Sequence, residues 1–231
     1  MNKKPKSFAN KIRKADPGNP ESDAISEAAH LIKDGGIVVF PTRCLYGLGA
    51  DAFNTDAVER IFEIKQRSSQ KPILILIDHQ DKVETLVRHV PRVASLIMEK
   101  FWPGKVTIVF EAKDSLSSSL TAGTGKIGIR QCGHPVAAAM VRAVGGPVTG
   151  TSANIAGEAG CSRISDLSQR VGEKADLVLD AGPLEGGKGS TVIDVTSKSR
   201  HESGVMFPWT LLREGLVPEK SIIEIMNRRC L

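Results

Sequence analysis

The run IVVFPTRCLYGLGADAFNTDAVERIFEIKQRSSQKPILILI, residues 37–77, decides the fold class. Its ends, IVVF at 37–40 and ILILI at 73–77, are short apolar runs of the kind that form strands buried on both faces. A polar, glycine-rich loop follows the first run. Val58, Ile61, Phe62 and Ile64 then recur at helical spacing, so a helix is predicted from residue 55, with Asn54 or Thr55 as its N-cap. That helix is expected to run into KQRSSQKP, residues 65–72, and to be stopped by Pro72. Strand, loop, helix and strand in this order are the repeating unit of an α/β sheet.

The alternation continues on both sides. ESDAISEAAHLIKDGG, residues 21–36, reads as a helix with Ala24, Ala28, Leu31 and Ile32 on one face and a glycine stop. Helices are expected over 91–100, HPVAAAMVRAV, DLSQRV and PEKSIIEIMNRR, and strands at VTIVF, KIGIR, PVTG, LVLD, TVIDV and within MFPWTLLREG. There is no repeat and no linker long enough to divide the chain, so one α/β domain is expected over residues 21–231.

The 231 residues carry a net charge of +5, with 41% apolar and 4% aromatic residues. The charge is concentrated. Lys3, Lys4, Lys6, Lys11, Arg13 and Lys14 lie within residues 1–14 without an acid, so the remainder sums to −1. Residues 1–20 therefore read as a basic, flexible arm; weak RNA binding is one expectation for it, and the alternative function is an RNA-binding or ribosome-associated module without catalysis. The near-neutral remainder and the few aromatics argue against base stacking as the main role. Cys44, Cys132, Cys161 and Cys230 form no CxxC pair and are too few for a disulfide scaffold, which suits a reducing cytoplasm. No apolar run reaches the roughly 18 residues of a membrane span, so no membrane partner is expected.

Several strand ends carry residues suited to an anion. Lys65, Arg67 and Lys71 crowd KQRSSQKP, although cations in a helix's last turn also complement its dipole. Arg130 ends KIGIR, and an arginine fork matches a carboxylate or phosphate. TSAN, residues 151–154, offers hydroxyls and an amide between Gly150 and Gly157. Thr42, Ser190 and Arg213 also sit where strand meets loop. GLGADA at 47–52 matches the dinucleotide fingerprint only in letters, because the helix starts after Asn54 rather than on the glycines. No nucleophile–base pair, HExxH motif or carboxylate cluster is visible, so chemistry here rests on positioning and charge neutralisation.

In order, the motifs are PTxxxYGLGxxA, KxRxxxKP, GIRxxxHP, TSANxxG, STVIDVT and LREG. Together, from about Ala24 to Gly215, they resemble the YrdC/TsaC family, the threonylcarbamoyl-AMP synthases. The resemblance implies a twisted, open mixed α/β sheet with flanking helices around a positively charged cavity. It implies a nucleotidyltransferase that joins L-threonine, bicarbonate and ATP, with Mg²⁺, into threonylcarbamoyl-AMP and pyrophosphate. The product would pass to downstream tRNA-modifying proteins that make threonylcarbamoyladenosine. Carried over by motif, Lys65 and Arg67 stabilise charge and bind the nucleotide with Ser152, Asn154 and Arg213. Arg130 matches the cavity arginine and suits the threonine carboxylate; Thr42 and Ser190 suit threonine or the carbamate. Loss of Lys65 or Arg67 is expected to abolish turnover with little change in melting temperature. The resemblance also implies the short form, without an extra C-terminal domain. The chain departs from the pattern at Arg43 and Cys44, where the family usually has an acid and a small residue, and at Cys132, where it usually has proline.

Overall fold

The computed structural model describes residues 7–68, 70–200 and 206–229. Two mixed sheets form its frame, where a single open sheet was expected. In chain order the strands are β1 (Ile12–Lys14), β2 (Val38–Pro41), β3 (Tyr46–Gly49), β4 (Ile75–Ile77), β5 (Val106–Glu111), β6 (Lys126–Gln131), β7 (Val148–Thr149), β8 (Thr151–Ser152), β9 (Leu177–Asp180), β10 (Thr191–Asp194), β11 (Ser199–Arg200), β12 (Met206–Phe207) and β13 (Thr210–Arg213). One sheet runs β1-β9-β2-β3-β8 and the other β13-β10-β5-β6-β4-β7, with β11 and β12 as a separate ribbon. The chain crosses from one sheet to the other between β7 and β8, at Gly150.

The helices are α1 (Asp23–Lys33), α2 (Thr55–Lys65), α3 (Val83–Leu86), α4 (Arg92–Phe101), α5 (Ser118–Thr121), α6 (Pro135–Val144), α7 (Gln169–Lys174) and α8 (Glu219–Arg229). Strand alternation feeds two apolar layers. Val38 and Phe40 of β2 pack with α1 and α6, whereas Ile37 and Val39 join the larger core with α2 and α4. Leu76 of β4 likewise separates from Ile75 and Ile77. All four β2 residues are buried, as a strand covered on both faces requires.

Three further sequence expectations change. PTRCLYGLG is not one loop: Tyr46–Gly49 pairs antiparallel with Val38–Pro41, so the glycines belong to a strand. A Cβ on Gly49 would stand 2.7 Å from Phe40 Cε1 and 2.9 Å from Val148 Cγ1. The glycine is there for close packing, not for a dinucleotide. Helix α2 stops at Lys65, with Gln66 left-handed at φ 49°, well before Pro72. KQRSSQKP is therefore mostly a connection, and Arg67 leaves the helix.

The third change concerns residues 1–20. From Ser7 the expected arm is part of the body: Phe8 is fully buried and β1 pairs parallel with β9. Lys11 Nζ donates to Glu173 O and Ala175 O, Arg13 pairs with Glu27, and Lys14 pairs with Asp180. Three of the six cations are thus committed to intramolecular partners. Lys3, Lys4 and Lys6 lie outside the described residues. Among the described residues no helix is long and apolar enough to cross a membrane.

Candidate functional site

A cavity of about 540 Å³ is lined by residues of both sheets. Alternation along the strands sets its wall. Lys126, Gly128 and Arg130 of β6 face it at every second position, as do Thr107 and Val109 of β5 and Val192 and Asp194 of β10. Thr42, Arg43 and Cys44 come from the β2–β3 turn, Ser152 from β8 and Arg213 from β13. Its charged lining residues are Arg43, Arg67, Lys126, Arg130 and Arg213 against Asp194.

Six of the expected site residues meet here: Thr42, Arg67, Arg130, Ser152, Ser190 and Arg213. Arg130 has neither a hydrogen-bond acceptor nor a carboxylate partner among the described residues, and burial lowers its pKa. Arg67 donates from Nη2 to Pro72 O at 2.8 Å, while its Nε is buried with no partner in the described structure. The Arg213 guanidinium lies on Ser190, with Nη2 2.8 Å from the Ser190 carbonyl. Ser190 Oγ in turn shares a 2.8 Å hydrogen bond with Thr107 Oγ1. Thr42 Oγ1 donates to Leu45 O at 2.6 Å, which leaves its lone pairs as acceptors toward the cavity.

Lys65 and Asn154 do not line the cavity, and their side chains are held by protein partners in the described structure. Lys65 is 3% exposed at the end of α2. Its Nζ donates to Ser152 O at 2.5 Å, Asn154 O at 2.9 Å and Asn154 Oδ1 at 3.1 Å, which uses all three protons. Asn154 Nδ2 is spent on Ile155 O and Glu158 O, and its Oδ1 also accepts from Ser152 Oγ. Lysine and asparagine together fasten the loop that presents Ser152. Burial, and secondarily Arg67, brings the Lys65 ammonium down to about 8.

Sequence reading missed the ion pair of Lys126 Nζ with Asp194 Oδ2 at 2.9 Å. The two-residue spacing from Arg130 back to Lys126, and from Ser190 on to Asp194, was the available signal. Burial disfavours the thiolate of both nearby cysteines, raising Cys44 and pushing Cys132 up to about 12. LREG folds onto the start of β10, with Gly215 N donating to Thr191 Oγ1 at 3.0 Å. A Cβ on Gly215 would lie 2.2 Å from Gly189 O. Gly215→Ala is expected to cost on the order of 1–3 kcal/mol of unfolding free energy. Its denaturant midpoint should fall, and activity should fall with it, because Gly189 and Ser190 must shift.

The model of the Sua5/YciO/YrdC family, described as "Telomere recombination", matches residues 30–215. The chain belongs to this family. A Sua5/YciO/YrdC relative named threonylcarbamoyl-AMP synthase, from Bacillus subtilis, is 37% identical over 170 residues, 73% of this chain and 49% of the relative. The chain spans about half the length of the curated relatives it matches first, 49% and 56%. The structure of Pyrococcus abyssi Sua5 complexed with L-threonine superposes with a TM-score of 0.81 at 30% identity, covering 93% of this chain and 60% of that one. Escherichia coli YciO gives a TM-score of 0.80 at 27% identity, covering 91% of this chain and 98% of YciO.

Proposed function

We propose that the chain is a threonylcarbamoyl-AMP synthase that condenses L-threonine, bicarbonate and ATP, releasing pyrophosphate. One observation carries this reading: the cavity gathers five cationic residues against one carboxylate, with Arg130 unpartnered among the described residues. The relatives' printed name and the Sua5 complex with L-threonine support it.

The step assigned to the site is attack of the carbamate oxygen of N-carboxythreonine on the α-phosphorus of ATP, with pyrophosphate leaving. It needs in-line placement and charge neutralisation rather than an enzyme nucleophile. Arg67 brings an unpartnered buried Nε to the cavity wall, and Arg213 a guanidinium held on Ser190; both suit the triphosphate. Ser152 Oγ lines the same wall, its loop set in place by Lys65; to donate to a phosphate it must turn its one proton away from Asn154 Oδ1. Arg130 suits the α-carboxylate, and the free lone pairs of Thr42 suit a substrate N–H or O–H.

The residues present do not make a resident Mg²⁺ cage. Asp194, the lining carboxylate, already accepts from Lys126 and Thr196, and no group of three or more His, Cys, Asp or Glu among the described residues could hold a metal. Mg²⁺ enters this reading only as the companion of ATP's phosphates. The product adenylate would be consumed by tRNA-modifying proteins in the cytoplasm.

The decisive assay incubates the protein with ATP, Mg²⁺ and bicarbonate, with and without L-threonine. Pyrophosphate is expected only with threonine and bicarbonate both present. Its absence, or release indifferent to threonine, would sink the reading.

A further inference from the structure

Arg43 is a charged lining residue that the proposed reaction leaves unused, as it does the Lys126–Asp194 pair. It borders the main cavity and also an adjoining recess of about 10 Å³, which it shares with Arg130, Thr42 and Cys132. Its Nε meets Glu185 Oε2 at 3.2 Å; its two Nη groups have no acceptor among the described residues. Arg130 has no acceptor either. Asp194 cannot offset this end. Its partner Lys126 is four positions from Arg130 along β6, about 13 Å at strand rise, and Asp194 is tied there to Lys126 and Thr196. Among the described residues, two guanidiniums thus share one end of the cavity with a single ion-pair partner, Glu185, whose side chain is 58% exposed.

A free amino acid suits such an end poorly. It brings one carboxylate and one ammonium, and the ammonium is repelled by two guanidiniums. N-carboxylation reverses that. The ammonium and bicarbonate give R–NH–COO⁻, water and a proton that leaves to solvent, with one N–C bond formed and one C–O bond of bicarbonate broken. The product is a dianion with two carboxylates, one for each arginine fork.

We infer that Arg43 is a positioning residue that holds the carbamate of the N-carboxylated amino acid while Arg130 holds its α-carboxylate. The site then binds the carboxylated form better than the zwitterion and draws the carboxylation toward it. Glu185 competes for Arg43 and tempers that affinity. The identity of the ligand rests on the synthase reading; the two-arginine dicarboxylate site does not.

Succinate, in which CH₂ replaces the carbamate N–H of N-carboxyglycine, is a stable probe. By titration calorimetry it is expected to bind the wild type and to bind Arg43→Gln at least tenfold more weakly, with ATP affinity the same in both. Glu185→Gln is expected to tighten succinate binding. In turnover, Arg43→Gln should raise the KM for bicarbonate at least tenfold with the KM for ATP unchanged. Equal succinate affinity in wild type and Arg43→Gln would overturn the inference. So would pyrophosphate release driven better by aspartate than by threonine, since Arg43 would then be reading a side chain. Arg43-dependent succinate binding in a protein that releases no pyrophosphate would sink the synthase reading and leave the dicarboxylate site standing.

Discussion

Arg130→Met is expected to lower kcat/KM for threonine by about 10²–10³-fold, the loss of one charge-assisted, desolvated carboxylate contact. Its melting temperature should stay level or rise. The two effects separate because Arg130 holds nothing in the described structure: no acceptor or carboxylate partners it, while burial and, more weakly, Arg213 press its pKa down. A cation kept unpaired among the described residues is a cost to folding, and methionine fills similar volume without it. Steady-state kinetics with threonine varied, alongside thermal unfolding, tests both halves. A variant that loses stability and activity together would make Arg130 a structural residue and remove the anchor assigned to the α-carboxylate.

Much of this site was legible because strand ends announce themselves. KIGIR and STVIDV are clean alternating or apolar runs, and Arg130, which closes the first, and Ser190, which opens the second, fall on the cavity wall. Helix α2 was legible for the same reason, down to the Asn54 cap that accepts from Ala57 N at 3.0 Å. The failures have physical causes. Tyr46–Gly49 lacks the usual strand signature, since two of its four residues are glycines that let Phe40 and Thr151 approach. The strand Ile12–Lys14 hides in a basic run because it sits at a sheet edge, where lysine and arginine side chains reach partners on α1 and β9. The division into two sheets depends on the crossing at Gly150, and no local pattern encodes it. Strand alternation could have placed Lys126 and Asp194 on the cavity wall, but their pairing joins residues 68 apart and no local spacing encodes that.

Lys65→Met is expected to do what Arg130→Met does not. It removes the donor for three acceptors around Ser152 and Asn154. Leaving such groups unsatisfied costs about 2–3 kcal/mol net, which is about 5–10 °C in melting temperature for a chain of this size. This reverses the expectation that Lys65 could be lost at little thermal cost. Activity should fall as well, through the unfastened Ser152 loop. The pH dependence carries a signature of its own. The Lys65 ammonium is lowered from 10.5 to about 8 in the folded chain, chiefly by burial. Between those values the unfolded chain binds more protons, so this residue makes stability rise with pH across roughly 8 to 10.5. Tyr46, whose pKa burial raises, pulls the other way above its ordinary value of 10, but wild type and variant share it. The difference in unfolding free energy between wild type and Lys65→Met should therefore be flat below pH 8 and grow above it. A difference that stays flat to pH 10 would mean that burial does not depress the Lys65 pKa in the folded chain. Arg67→Met, two residues on, should show the opposite balance, because it gives up only an exposed bond to Pro72 O while its buried Nε has no partner in the described structure. Within one KxR motif, the lysine would then build the loop and the arginine would meet the phosphate.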